Sequence, residues 1–335
     1  MADTDYKAAN SRAHWGGADA DLDIHLEAYE GDIDGSFRAE SIFRSSGLTN
    51  YKSVQGQSNT WRGDRVGGVA VKGRRSGDKL DNSRIVNEKY LISVDTTSYI
   101  RTPVDYQDDW TAPSFQSEYS MEHGIAHAKA FDQAHVIQLI KAGAWEAPAS
   151  LKASGSFYDG LSQIVTGIAA ETDLSAKADM IVAAHKAHLA TFVRRDLGGS
   201  LSEFRALIDP DWFNILLDHN KLMNVDYSSV ATGSNDFATR RIAWLNGTPV
   251  IETPRFPQAA ITSHFLGSAF NVTAAEANAK LITFNPRKTL VTVEAMPMTT
   301  RYWDDEAEFT NVLDSYTMYT VGIRRGDAVS VLSTD

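Results

Sequence analysis

The sequence predicts an α+β fold strung along one long helix, and three stretches predict it. Residues 114–145 carry no proline and a helical apolar recurrence. Residues 51–89 are basic, rich in glycine and too poor in apolar side chains to build a core. From residue 173 onward, capped helical patterns alternate with short β-branched runs and tight-turn dipeptides.

The long helix comes first because its neighbours are arranged along it. Thr111 is placed to cap it, Pro113 sits where a first turn tolerates proline, and Gly143 is a natural stop. About thirty residues at ~1.5 Å each give a rod of roughly 45 Å, long for a globular domain. Phe115, Tyr119, Ala126, Ala130, Ile137, Ile140 and Ala144 fall on one stripe, widened by Met121, Ile125, Val136 and Leu139. Such a rod aligns its neighbours more readily than it encloses a pocket, which points to a structural protein and away from an enzyme.

Along the chain, residues 1–20 are small and polar and read as an arm. Residues 21–46 repeat apolar side chains every three or four positions (Leu22, Leu26, Tyr29, Ile33, Phe37) and read as a helix interrupted by Gly31 and Gly35. Residues 1–50 hold ten acids against four bases; in residues 51–89 the sign flips to nine bases against four acids. The basic stretch, with β-like pieces at 60–62 and 66–72, is expected to project as a two-stranded ribbon reaching roughly 60 Å at ~3.3 Å per residue. An isolated ribbon is marginal in water, so it is expected to lie on another copy. Arg62, Arg65, Arg74, Arg75 and Lys79 are its candidate contacts, with Glu118 and Glu122 of the long helix, or acids of the arm, as partners.

Residues 90–105 read as one strand and 146–171 as loop. Residues 173–195 read as a second helix, with Asp173 as cap and Gly198-Gly199 as stop. Residues 204–208 form a strand, and Asp209-Pro210 opens a helix to about Asn220. Residues 242–253 form a hairpin turning on Asn246-Gly247. Residues 281–284 and 290–295 are strands; 316–323 and 328–332 are expected to pair as a terminal hairpin around Arg324-Arg325-Gly326-Asp327.

Chemistry is sparse. No cysteine is present, which removes disulfides, thiolate nucleophiles and cysteine-bound metals. The N-terminus lacks the apolar run of a signal peptide, and residues 180–193 fall short of a membrane span. A net charge of −11 argues against wrapping a phosphate backbone. No dinucleotide, phosphate-loop or nucleophile-elbow motif occurs. His123 and His127, four apart, are the best metal pair, but the intervening Gly124-Ile125-Ala126 lacks the glutamate of a zinc-protease helix. They are expected to be surface residues, as are His185 and His188. Asp218-His219 reads as a helix end and Asp304, Asp305, Glu306 and Glu308 as a solvated acidic face. Neither a cofactor nor a metal is expected. The rival functions are a metal-dependent hydrolase using His123 and His127, and a DNA-binding protein using the basic ribbon.

The order of elements, with the local stretches 76–81, 89–95, 117–119, 208–213, 247–254 and 322–332, resembles the major capsid proteins of tailed bacteriophages, the HK97-like fold, and most closely those of short-tailed podophages. This chain departs from the family at the last turn, where Arg325 stands in place of a proline, and residues 259–278 have no counterpart. The resemblance implies an N-terminal arm (1–50), an extended loop (51–90), a peripheral domain around the spine helix (91–190 with 311–335) and an axial domain (191–310). It implies hexamers and pentamers closing an icosahedral shell around double-stranded DNA in the virion, made in a host bacterial cytoplasm, with a scaffolding protein and a portal as partners and no membrane.

Overall fold

The computed structural model describes residues 41–335, apart from 55, 57, 81, 107–114, 198–200, 220–221, 223–234, 236–239 and 241. The arm, the expected helix at 21–46 up to residue 40, the Thr111 cap and the Gly198-Gly199 stop lie outside the described residues.

Two sheets flank the long helix, with a separate two-stranded ribbon at one side. The first sheet joins β1 (Asn50–Ser53), β10 (Leu290–Asp305), β11 (Thr310–Ile323) and β4 (Ser98–Asp105) in that order. β1 runs parallel to β10, and the other two pairings are antiparallel. The second sheet orders β5 (Leu161–Val165), β12 (Val329–Thr334), β9 (Ala279–Phe284), β6 (Arg205–Ile208), β8 (Thr248–Glu252) and β7 (Trp244–Leu245). β7 and β8 turn on Asn246 and Gly247, both at positive φ (51° and 85°), as a tight hairpin with this dipeptide requires.

The long helix is α2 (Phe115–Gly143), preceded by the short α1 (Ile42–Ser45). It ends at Gly143, where Val331 leaves no room for a side chain: a Cβ there would sit 2.5 Å from Val331 Cγ2. Its expected apolar stripe holds only in part. Ile137 and Ile140 are buried, whereas Tyr119, Ala126 and Ala144 are exposed. In the N-terminal half the buried positions among the described residues are Ser120, His123, Gly124, His127, Ala128, Phe131 and Asp132, and the two histidines meet hydroxyl groups on the strands beneath. From 134 to 140 every residue is buried. Residues 256–277 also pack on this half: Phe256, Leu266, Phe270, Val272 and Ala277 join the core around Ile137, Gln138 donates to the Ala269 carbonyl (3.1 Å), and Lys141 pairs with Glu276 (3.2 Å).

α4 (Leu174–Arg194) follows α3 (Ala149–Lys152) and is capped by Asp173, whose carboxylate accepts from the Ser175 amide at 3.1 Å. α5 (Pro210–Leu217) is capped in the same way by Asp209. Together α4 and α5 bury a second core with Ile181, Trp212 and Phe213 against the larger sheet.

Four expectations are corrected. The 90–105 signal is two strands, β3 (Asn87–Ser93) and β4. The loop at 146–171 contains α3 and the edge strand β5, whose Leu161, Ile164 and Val165 do not alternate as a half-buried strand does. The ribbon pairs β2 (Thr60–Val66) with β3 over only seven residues, about 23 Å at ~3.3 Å each, and the described residues of 67–86 beyond it form no strand. The terminal hairpin does not exist: β11 belongs to the first sheet and β12 to the second. The chain crosses between them on a buried turn. Asp327, fully buried, accepts two bonds from Arg325 (3.0 and 2.7 Å) and one from the Tyr158 amide (3.3 Å). Arg325 also donates to the Ser156 carbonyl and lies 4.0 Å over the Phe157 ring. Satisfying a buried carboxylate outweighs the turn preference of Arg-Gly-Asp.

Candidate inter-subunit surface

Residues 67–86 carry the sharpest surface anomaly. Val71 and Leu80 are 102% and 77% exposed, and Val69 and Ile85 are more than half exposed. Apolar side chains held in water on a loop without a core of its own lose the burial that stabilises an ordinary segment. Among them stand exposed cations. Arg74 bonds the Asp78 carbonyl in its own loop (2.6 Å), and Arg75 and Lys79 are exposed. Arg62 on β2 is exposed 3.6 Å from Asp64.

Arg65 behaves differently from the other loop candidates. It donates to the carbonyls of Arg324 (2.7 Å) and Ile323 (3.0 Å), and its guanidinium lies 4.3 Å over Tyr90 and 5.3 Å from the Trp145 ring centre. Burial lowers its pKa from the ordinary arginine value. Arg65 fastens the ribbon base to its own subunit; its neighbours Val66 and Gly67 gave no sign of that in sequence. Glu118 and Glu122 are exposed on the first turns of α2. Among the described residues, no ion pair joins them to the loop cations within the chain.

The histidines are not surface residues. His123 (4% exposed) bonds Thr102 Oγ1 through Nε2 (2.7 Å) and Ser315 Oγ through Nδ1 (3.0 Å), and His127 Nε2 bonds the same Ser315 hydroxyl (3.0 Å). Burial pushes His127 down to about 4 and lowers His123 as well. His185 is fully buried between Thr283 (3.1 Å) and Asn246 (3.0 Å) and is pushed down to about 3; His188 bonds Ser330. His219 is buried against Asp179 at 3.0 Å. Among the described residues no three His, Asp or Glu side chains gather to hold a metal. The hydrolase reading finds no support in this geometry: both His123 nitrogens and His127 Nε2 bond hydroxyls. Helical spacing hid these roles: a histidine facing Ser or Thr on a strand looks polar in sequence.

No protein-family model matches the chain, and no curated protein matches it. Among solved structures, the chain is similar to the capsid chain in the asymmetric unit of the mature capsid of bacteriophage PhiM1, with 46% identity over 99% of this chain and 98% of that one and a TM-score of 0.78. The chain belongs to the tailed-phage major capsid proteins. The fold of this capsid protein is HK97-like. A cyanophage P-SCSP1u capsid chain shares it at 15% identity, 86% coverage of each chain and a TM-score of 0.70. A virus-like particle chain from Pyrococcus furiosus shares it at 11% identity, 92% and 99% coverage and a TM-score of 0.54. In this capsid protein, Arg325 is the residue that clamps Asp327 at the crossover between sheets.

Proposed function

We propose that the capsid protein assembles as hexamers and pentamers into a closed icosahedral shell around double-stranded DNA, and that residues 67–86 dock on a neighbouring copy. The observation that carries the docking is the loop's exposed Val71 and Leu80 beside Arg74 and Arg75, apolar and cationic surface that the other described residues leave uncovered. On this reading residues 1–50 are the N-terminal arm, 51–90 the extended loop, 91–190 with 311–335 the peripheral domain and 191–310 the axial domain. Arg62, Arg74, Arg75 and Lys79 meet acids of the neighbour, with Glu118, Glu122 and the acidic arm as candidates. The subunit is made in the host bacterial cytoplasm, meets a scaffolding protein and a portal during assembly, and ends in the virion. Its role is structural and needs no cofactor. With a net charge of −11 the wall contains the polyanion without sequence-specific adsorption. No described helix is long and apolar enough to cross a membrane.

Negative-stain microscopy of the purified protein, alone and co-expressed with its scaffold, tests the reading. Shells or capsomers are expected. A 36.8 kDa monomer across all salt, pH and scaffold conditions would overturn it.

A further inference from the structure

Thr102, His123, Ser315 and His127 form one continuous hydrogen-bond chain between α2 and the β4–β11 pair. Each hydroxyl has one proton to give, and a neutral imidazole has one donor and one acceptor nitrogen. The neutral chain is therefore satisfied in either direction. A first added proton fits on His123: both its nitrogens then donate, to Thr102 and to Ser315, and Ser315 donates to His127. A second proton is disfavoured. Ser315 Oγ has two lone pairs and can accept from both rings, but two imidazolium cations would then flank one buried serine, and His123 opposes charge on His127.

The charged groups around the chain do not relieve this. On β11 the Asp314 carboxylate favours protonated His123, but it accepts a bidentate pair from Arg101 of β4 (2.7 and 2.8 Å) and a bond from Trp303. β10 contributes another cation, Arg301, opposite Asp314. On α2 itself Glu122 points to solvent, and His123 disfavours charge on His127.

The two halves of the spine helix differ in what else holds them. Residues 134–140 are enclosed on all sides, whereas Tyr119, Met121, Glu122 and Ala126 leave the outer flank of the first half open to water. We propose that the Thr102–His123–Ser315–His127 chain is a proton-operated latch that holds the N-terminal half of the spine helix on the sheet and releases it in acid. Release is local, because the second half stays packed under residues 256–277.

Amide hydrogen exchange read by mass spectrometry on the full-length protein at pH 7 and pH 4.5 tests it. After correction for the intrinsic rate, residues 118–128 are expected to exchange at least ~tenfold faster at pH 4.5, a shift that one histidine displaced by a pKa unit already supplies, while 134–142 stay protected. In His127→Gln, whose amide can meet Ser315 without titrating, the acid response should shrink by about tenfold; His185→Gln should leave it unchanged. No acid response in the parent protein, or an equal one in His127→Gln, overturns the latch. Should His127→Gln not fold, histidine Cε1 exchange on the parent decides: His127 titrating near 4 and below His123 supports the latch, and His127 titrating at the ordinary 6.5 refutes it.

Discussion

Asp132 of the spine helix caps the short helix α1, ninety residues earlier in the chain. Its Oδ1 accepts from Ser41 Oγ at 2.7 Å and its Oδ2 from the Ile42 amide at 2.8 Å, with the Phe43 amide at 3.3 Å. Burial raises the Asp132 pKa, and the three donors work against that shift. Asp132→Ala leaves three donors facing an apolar gap. It should cost about 2–3 kcal/mol, since bonds to a charged group are worth more than neutral ones and unmet buried donors carry a desolvation penalty. Thermal unfolding read by circular dichroism checks this; an unchanged midpoint would mean that water replaces the carboxylate.

Acid should destabilise the subunit through its enclosed histidines. His135 is fully buried between the Phe131 carbonyl (2.7 Å) and Thr292 Oγ1 (2.7 Å) and is pushed down to about 4. The unfolded chain binds this proton near 6.5 and the folded one only near 4, so between those values the unfolded state holds more protons. Stability is then complete above pH 6.5 and falls as pH drops towards 4, by up to about 3 kcal/mol from this histidine. Urea unfolding at pH 7, 5.5 and 4.5 should show the decline, and His135→Gln should flatten part of it. A flat profile for the parent would contradict the burial.

How much of this was legible in sequence differs by element. The spine helix, the Asp173 and Asp209 caps and the Asn246-Gly247 turn were readable because each depends on a few adjacent residues. The loss of the terminal hairpin was not, because it hinges on Asp327 meeting Tyr158, 169 positions away. The cover over Ile137 was invisible for a similar reason: residues 256–277 are a loop whose Phe256 and Phe270 find the helix only in three dimensions. Of the candidate contact residues, exposure at Arg74 and Arg75 followed from their glycine-rich, apolar-poor setting. Arg65 looked the same in sequence, and only the carbonyls of residues 323 and 324 distinguish it.

The end of the spine helix should tolerate no side chain. In Gly143→Ala, the new Cβ would lie 2.5 Å from Val331 Cγ2 and 3.3 Å from the Leu161 carbonyl. Alanine gains roughly 0.5–1 kcal/mol of helix preference over glycine, but overpacking a close contact costs about 1–3 kcal/mol, so the net effect should be destabilising. Val331→Ala in the same chain removes the clashing methyl groups and should recover part of the loss. A double variant no better than the sum of the singles would place the strain elsewhere.

Charge reversal in the loop separates assembly from folding. Arg65→Glu would aim a carboxylate at two carbonyls and at the faces of Tyr90 and Trp145, so the ribbon base should detach and the thermal midpoint should fall. The double variant Arg74→Glu with Arg75→Glu changes only exposed side chains and should keep the parent's circular dichroism and midpoint. An exposed ion pair is worth only ~0–1 kcal/mol. In a closed lattice, however, each copy is held by several neighbours at once, and small terms repeated around the shell act together. The double variant should therefore fold but assemble poorly, most visibly at low salt, where screening is weakest. Normal particles from it would show that these two arginines make no contact that matters. Unaltered particles with weakened DNA retention would point instead to the basic loop touching the genome. Particle yield by microscopy at two salt concentrations, with a DNA shift assay on the same protein, distinguishes these outcomes.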